Sequence, residues 1–291
     1  MIGQVSSSPG EVVAREVDAV ATDERGADLL RTAHRARIRA GELALWYTGG
    51  AGYVLRTAKA FLLVDPFVGP GSPPDWVRAI PPALDLIGSP FTSEVGAVIL
   101  SHEHEDHADP EALAPLARAS RAIAVGSTAS IEVARLAGFP EERCRRVSEG
   151  DEISIADLRL TAVSANDPEA VGALGYVLDT GAVRLLHCGD SLYHSGFADA
   201  GRRWTIDALC VSVGHNPPGL TYYMDESDAA RAARDARARI LIPHHYDLWQ
   251  GLTLDPLRVE TVTRWYAPET QVVPAKLRAR VTIAKARGGK R

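Results

Sequence analysis

Three histidines and an aspartate crowd the run SHEHEDHADP: His102, His104, Asp106 and His107. No packing requirement calls for three imidazoles and a carboxylate side by side. Neutral imidazole and carboxylate are ligands for zinc, manganese or iron, and alternate positions of an extended loop can aim at one ion while the next pair addresses a second. A polar, solvated turn is the bland alternative, and it would be the better reading of a lone histidine. Here the cluster directly follows the apolar run VGAVILS, so it sits at the C-terminal end of a buried strand, and metal binding is the expected chemistry. Two more histidines stand at strand ends. His187 precedes Cys188-Gly189-Asp190, where it would orient a ligand, touch substrate or serve the core. His215, in VGHNPPG, would reach the site or lie in a surface turn.

Short β-rich runs position these residues. LALWYTG, YVLRT and FLLVDPF read as strands of a meander, and Gly69 to Pro90, rich in proline and glycine, as a long surface loop. After the histidine cluster come a helix opened by Pro110, the strand RAIAVG and a helix capped by Ser127 that stops at Gly138. A second strand-rich stretch runs from Arg145 to Leu186. Strand DALCVSV, a helix from Asp225 to Ala238, strand RILIPHH and a helix from Asp255 to Trp265 follow. The polar stretch from Glu11 to Arg39 reads as helical and outside the core. Two strand-rich halves, each followed by helices, imply an α/β (α+β layered) fold, a four-layer αββα sandwich. The expected division is a helical extension over 1–41, one domain over 42–285 and a frayed tail over 286–291.

With 46% hydrophobic and 24% charged residues, the chain is neither disordered nor low-complexity, and its net charge of −5 offers no footprint for a polyanion, so no nucleic-acid partner is expected. Cys144, Cys188 and Cys210 lie far apart and read as reduced thiols. The N-terminus has no basic segment leading into an apolar one, and no apolar run approaches the roughly 18 residues of a membrane span. A cytoplasmic protein without a membrane partner is the expectation. A homo-oligomer is left open, with the polar N-terminal stretch as one candidate interface.

The motif HEHEDH resembles the HxHxDH signature of the metallo-β-lactamase fold, and further segments agree in order. YTGGAGYVL and FLLVDPF resemble its glycine-rich turn and apolar-Asp-Pro segment, with Asp65 in the aspartate position. LLHCGDS and LIPHHYDLW resemble the segments that carry the bridging aspartate and the last histidine ligand. The resemblance thereby implies that Asp190 bridges two ions and that His245 is a ligand. His244, next to His245, would then form pocket wall or back up a ligand, because neighbours in an extended segment point opposite ways. Within this superfamily the chain is most similar to the UlaG-like group, the L-ascorbate 6-phosphate lactonases and related hydrolases, over roughly Leu43 to Pro256. One departure concerns the first ion. The wider superfamily supplies a further histidine from the middle strands, and this chain has none between His107 and His187. Asp167 in SANDPEA stands there, either as a substitute ligand or as a turn residue before Pro168.

The resemblance implies a metal-dependent hydrolase with one or two divalent ions, zinc or manganese, with iron as a further option. His102, His104 and Asp167 would hold one ion, Asp106, His107 and His245 the other, with Asp190 between them. Asp106 and Asp190 would act in catalysis, and a metal-activated hydroxide would attack a small-molecule ester, lactone, amide or phosphoester. His187, His215 and His244 are the candidates for contact with substrate. The alternatives are a phosphodiesterase or ribonuclease-type enzyme, a metal-containing binding protein without turnover, and a di-iron oxidoreductase.

Overall fold

The computed structural model describes residues 12–17, 28–69 and 77–286; part of the N-terminal stretch read as helical (18–27), part of the segment read as a surface loop (70–76) and nearly all of the tail (287–291) lie outside them. The first half of the chain builds one sheet. Its strands are β1 (Val12–Val17), β2 (Leu43–Gly49), β3 (Gly52–Arg56), β4 (Phe61–Val64), β5 (Ala97–Leu100), β6 (Ile123–Gly126) and β7 (Cys144–Arg146), and its helices α1 (Leu29–Arg35), α2 (Pro110–Ala119) and α3 (Thr128–Leu136). The second half supplies β8 (Glu152–Ile155), β9 (Leu158–Ser164), β10 (Leu174–Asp179), β11 (Arg184–His187), β12 (Ala208–Ser212), β13 (Ile240–His244), β14 (Gln271–Val272) and β15 (Arg280–Lys285). Between them lie α4 (Gly196–Arg203), α5 (Glu226–Asp235) and α6 (Pro256–Tyr266). None of the helices among the described residues is long and apolar enough to cross a membrane.

Strand order is β1-β15-β2-β3-β4-β5-β6-β7 in one sheet and β14-β13-β12-β11-β10-β9-β8 in the other. The side-chain period of two sorts each strand between layers. Leu43, Leu45 and Tyr47 of β2, Ala97 and Ile99 of β5, and Ile240 and Ile242 of β13 enter the core between the sheets. Their alternates leave it: Ala44, Trp46, Val98 and Leu100 meet α1 to α3, and Leu209, Val211 and Leu241 meet α4 to α6. Both faces of these strands are therefore covered, which is why they read as continuous apolar runs rather than alternations. The layering is the expected αββα sandwich.

One expectation, for the N-terminal stretch, needs correction, and the C-terminal end adds a strand. Val12–Val17 form a strand where the sequence reading placed helix, and Val12 belongs to the inter-sheet core. β15, which the sequence reading did not single out, separates β1 from β2, pairing antiparallel with both. The ends of the chain close the sheet together, so neither stretch can reveal its strand without the other.

Parallel pairing of β4, β5 and β6 in one sheet, and of β11, β12 and β13 in the other, points several strand ends in one direction. Ties between the sheets fix these ends. The Tyr176 hydroxyl of β10 donates to the Leu100 carbonyl at 2.8 Å, and Leu174 N–H donates to the Ser101 carbonyl at 2.9 Å. Gly189, with φ of +58°, sits where a Cβ would lie 2.7 Å from Ser101 Cβ. The loop after β11 can therefore press against the loop after β5 only through glycine.

Candidate metal centre

Five loops meet at these strand ends. Asp65 follows β4, Ser101 to His107 follow β5, Asp167 follows β9, Asp190 follows β11 and His245 follows β13. The histidine loop turns on itself, with His107 and Ala108 N–H both donating to the His104 carbonyl at 2.9 and 2.8 Å. Asp109 then caps α2 through Glu111 N–H at 2.8 Å, while its other oxygen accepts Val68 and Gly69 N–H at 2.7 and 2.9 Å. The cap thus ties the ligand loop to the segment after β4.

Two groups of candidate ligands result: His102, His104 and Asp167 in one, and Asp106, His107, Asp190 and His245 in the other, each with ligand atoms within 4.8 Å of one another. In the first, His102 Nε2 lies 2.9 Å from His104 Nδ1, and Asp167 Oδ2 lies 3.4 and 3.5 Å from these two atoms. Asp167 serves both readings made of it, since its Oδ1 accepts Glu169 N–H at 3.0 Å in a turn while Oδ2 faces the imidazoles. In the second, His107 Nε2 is 3.2 Å from Asp190 Oδ2 and 3.7 Å from Asp106 Oδ1, and His245 Nε2 is 3.2 Å from Asp106 and 3.3 Å from Asp190. All seven residues expected to hold metal are thus brought together in two adjoining sets.

The imidazoles are oriented from behind. Buried Asp65 accepts Ser101 N–H and Ser101 Oγ–H, both at 2.7 Å, and His107 Nδ1–H at 3.1 Å. Ser101 Oγ in turn lies 2.9 Å from His102 Nδ1. The assignment consistent with these partners puts the proton of both rings on Nδ1 and leaves Nε2 as a lone pair facing the site. A second chain supports Asp190, whose Oδ1 accepts Ser212 Oγ–H at 2.6 Å, while Ser212 lies 3.1 Å from His244 Nε2 and His244 Nδ1 lies 3.1 Å from the Tyr53 hydroxyl. Asp65 and His245 hold positive φ of 40° and 67°, a region that non-glycine residues enter where the surroundings impose it.

Charge favours a cation here. Burial would raise the carboxyl pKa values of Asp106 and Asp190, yet the neighbouring His107 and His245 bring Asp106 down to about 2 and Asp190 well below the usual range. Conversely, burial would lower His107 and His245, but Asp190 and Asp106 raise both above the ordinary histidine value. Burial, followed by the His107 charge, takes His102 down to about 3, so that ring is neutral. The buried His107 Nε2 has no hydrogen-bond partner despite facing carboxylates. A metal ligand is left in that condition, and the nitrogen and oxygen donor set fits a divalent ion of the zinc, manganese or iron kind.

The three histidines expected to contact substrate fare differently. His187 and His244 are fully enclosed. His187 Nε2 donates to the Ala51 carbonyl at 2.8 Å and its Nδ1 accepts Gly189 N–H at 3.3 Å. Both nitrogens of both rings are engaged within the protein, so these residues brace the loops instead of meeting a substrate. His215 is exposed and is not among the residues that line the cleft at the ligands. That cleft is walled by Pro168, Glu169, Thr221, Tyr222 and Tyr223 around His104, Asp106, Asp167 and Asp190. Sequence reasoning missed Ser101, Ser212 and Tyr223. Ser101 adjoins the motif and was the one within reach of inference. The Cys188 thiol is pushed by burial up to about 12, as a packing role requires.

Comparison with known proteins bears on the family and the fold. A family model described as "Beta-lactamase superfamily domain" matches residues 44–245. A curated relative, "Probable L-ascorbate-6-phosphate lactonase UlaG" of Salmonella heidelberg (strain SL476), is 26% identical over 280 residues, covering 82% of this chain and 79% of the relative. Among solved structures, Igni18, a metallo hydrolase from Ignicoccus hospitalis KIN4/I, superposes with a TM-score of 0.65 at 17% identity, covering 83% of this chain and 98% of that one. A possible metal-dependent hydrolase from Veillonella parvula DSM 2008 gives 0.68 at 16% identity, covering 81% and 98%. At these identities the solved structures speak to the fold.

Proposed function

The chain belongs to the beta-lactamase superfamily, and on that premise we propose that it is a metal-dependent hydrolase of a small-molecule ester, lactone or phosphoester. The observation that carries this reading is the convergence of two ligand sets from four separate loops, with lone-pair nitrogens turned inward by Asp65 and Ser101. His102, His104 and Asp167 would hold one divalent ion, Asp106, His107 and His245 the second, with Asp190 shared. Bound ions of this kind lower the pKa of water toward about 7 and polarise a carbonyl or phosphoryl oxygen. The chain supplies the rest. Asp106 keeps 13% of its side chain open to the cleft, where its carboxylate can orient an entering water and accept its proton. Ser212, by occupying Asp190 Oδ1, keeps Oδ2 directed at the histidines.

A lactone is the first substrate class to test, on the strength of the relative's name. The test combines elemental analysis of the purified protein with a panel of lactones, esters, phosphodiesters and amides. Asp190→Ala and His104→Ala are expected to lose metal and turnover while keeping the far-ultraviolet circular dichroism of the parent. Undiminished turnover and metal content in both variants would overturn the assignment.

A further inference from the structure

Residues 165–173, between β9 and β10, carry Asp167, and none of them is buried. Val171, the largest apolar side chain of the stretch, is 71% exposed. Burial of apolar surface therefore does not hold this loop, and a segment in that condition opens at little cost unless polar ties fix it. Two ties do so. Upstream of Asp167, Asn166 N–H donates to Ser191 Oγ at 2.9 Å, and Leu192 N–H donates to the Asn166 carbonyl at 2.8 Å. Downstream, Val171 N–H donates to Glu103 Oε1 at 2.6 Å. Each tie ends on a residue beside another candidate ligand: Ser191 follows Asp190, and Glu103 stands between His102 and His104.

The turn between the two ties is closed by Asp167 itself, whose Oδ1 accepts Glu169 N–H at 3.0 Å and whose carbonyl accepts Ala170 N–H at 3.4 Å. Leu174, where β10 begins, is the next fixed point, its N–H on the Ser101 carbonyl. Glu103 thus shortens the unsupported chain after Asp167. The glutamate makes this contact at a cost. Its second oxygen, Oε2, is enclosed and accepts no hydrogen bond among the described residues, whereas a side chain turned to water would satisfy both.

Resting on the reading of His102, His104 and Asp167 as the seat of one ion, we propose that Glu103 is a positioning residue for Asp167. By accepting the Val171 N–H it holds the loop so that Asp167 Oδ2 stays 3.4 and 3.5 Å from the two imidazoles. Glu103 acts through the loop and holds neither ion nor substrate. The segment that supplies two ligands of this set therefore also aims the third, and what position 103 must provide is an acceptor oxygen.

The test is zinc binding by the full chain, stripped of metal and titrated against a chromophoric chelator, so it needs no substrate. The parent is expected to bind two ions. Glu103→Ala is expected to weaken one of them by about 10- to 100-fold, as for loss of a supporting partner, and to leave the other and the far-ultraviolet circular dichroism unchanged. Glu103→Gln keeps an acceptor for Val171 N–H and is expected to bind both ions as the parent does. Because Glu103 acts through Asp167, the double variant Glu103→Ala/Asp167→Ala should bind zinc no more weakly than Asp167→Ala alone, whereas independent losses would multiply. Exchange of the Val171 amide hydrogen should quicken in Glu103→Ala and not in Glu103→Gln. A folded Glu103→Ala protein with both affinities unchanged, a Glu103→Gln protein as weak as Glu103→Ala, or losses that multiply in the double variant would overturn the proposal. So would a parent that binds a single ion indifferent to Asp167→Ala. A parent that binds both ions and turns over nothing on the panel would contradict the hydrolase reading alone, and the zinc affinities would still decide the role of Glu103.

Discussion

Replacing Asp65 by asparagine examines how the protein chooses the metal-binding nitrogen of His107. The aspartate accepts three hydrogen bonds, from Ser101 N–H and Oγ–H at 2.7 Å and from His107 Nδ1–H at 3.1 Å. Asparagine has nearly the same shape and tolerates the φ of 40°, so the backbone is not disturbed. Its oxygen can take the place of Oδ1 and satisfy Ser101 N–H. Its NH₂ group then occupies the place of Oδ2 and presents hydrogens to Ser101 Oγ and His107 Nδ1. His107 must answer by accepting at Nδ1, which moves its own proton to Nε2, the atom that faces Asp190 at 3.2 Å. A protonated Nε2 cannot ligate. Loss of such a supporting partner costs about 10- to 100-fold in metal affinity, equivalent to about 1.4–2.8 kcal/mol. Competition of the chelator-stripped protein with a chromophoric chelator measures this directly, and urea unfolding reports whether the fold survives. Metal affinity within twofold of the parent, in a folded Asp65→Asn variant, would refute the argument that Asp65 sets the tautomer.

Other expectations follow from the same geometry. Because the Asp190 and Asp106 carboxylates, against the effect of burial, raise His107 and His245 above the ordinary histidine value, protons compete with a metal ion for the ring nitrogens that face the site. Metal affinity should therefore rise with pH, and calorimetry in two buffers of different ionisation enthalpy should detect at least one proton released. Asp167→Ala removes a donor from the first set and none from the second, so bound metal is expected to fall by about half in elemental analysis while Asp106, His107, Asp190 and His245 retain their ion. Asp65, by contrast, is held below the normal carboxylate value despite its burial, chiefly by His107, so its contribution to stability is present above about pH 4 and lost as pH falls through its folded value. A urea midpoint that declines for the parent as pH falls below about 4, and less for Asp65→Asn, would show it. Ile283→Ala, in the core on β15, should cost about 2–5 kcal/mol in urea unfolding if the C-terminal strand is integral to the sheet.

What the sequence made legible follows the range of the interactions involved. His102 to His107 announce themselves because the chemistry is local: four ligands in one loop behind an apolar strand need no partner to be recognised. Asp190 and His245 came from resemblance, since each is one residue in a loop whose meaning depends on a strand far away in the chain. Val12–Val17 were misread for a similar reason. Their β-branched residues favour a strand, but the surrounding charged residues offered a helical pattern, and the strand exists through pairing with Arg280–Lys285 at the other end. The hydrogen-bond chains behind the ligands were the least visible part. Ser212 matters because β12 runs beside β13 and the loop of Asp190. His187 and His244 show the converse, as histidines at strand ends whose nitrogens are consumed inside the fold.

The central claim is that seven side chains from four loops hold ions on which hydrolysis depends. Its most direct test is a titration of the chelator-stripped protein with zinc or manganese, following bound metal and turnover of the best panel substrate together. Turnover is expected to be absent at the start, to rise with bound metal and to level off at two equivalents, with Asp190→Ala remaining inactive throughout. Full activity in the stripped protein, or a folded chain that binds neither ion, would contradict the account.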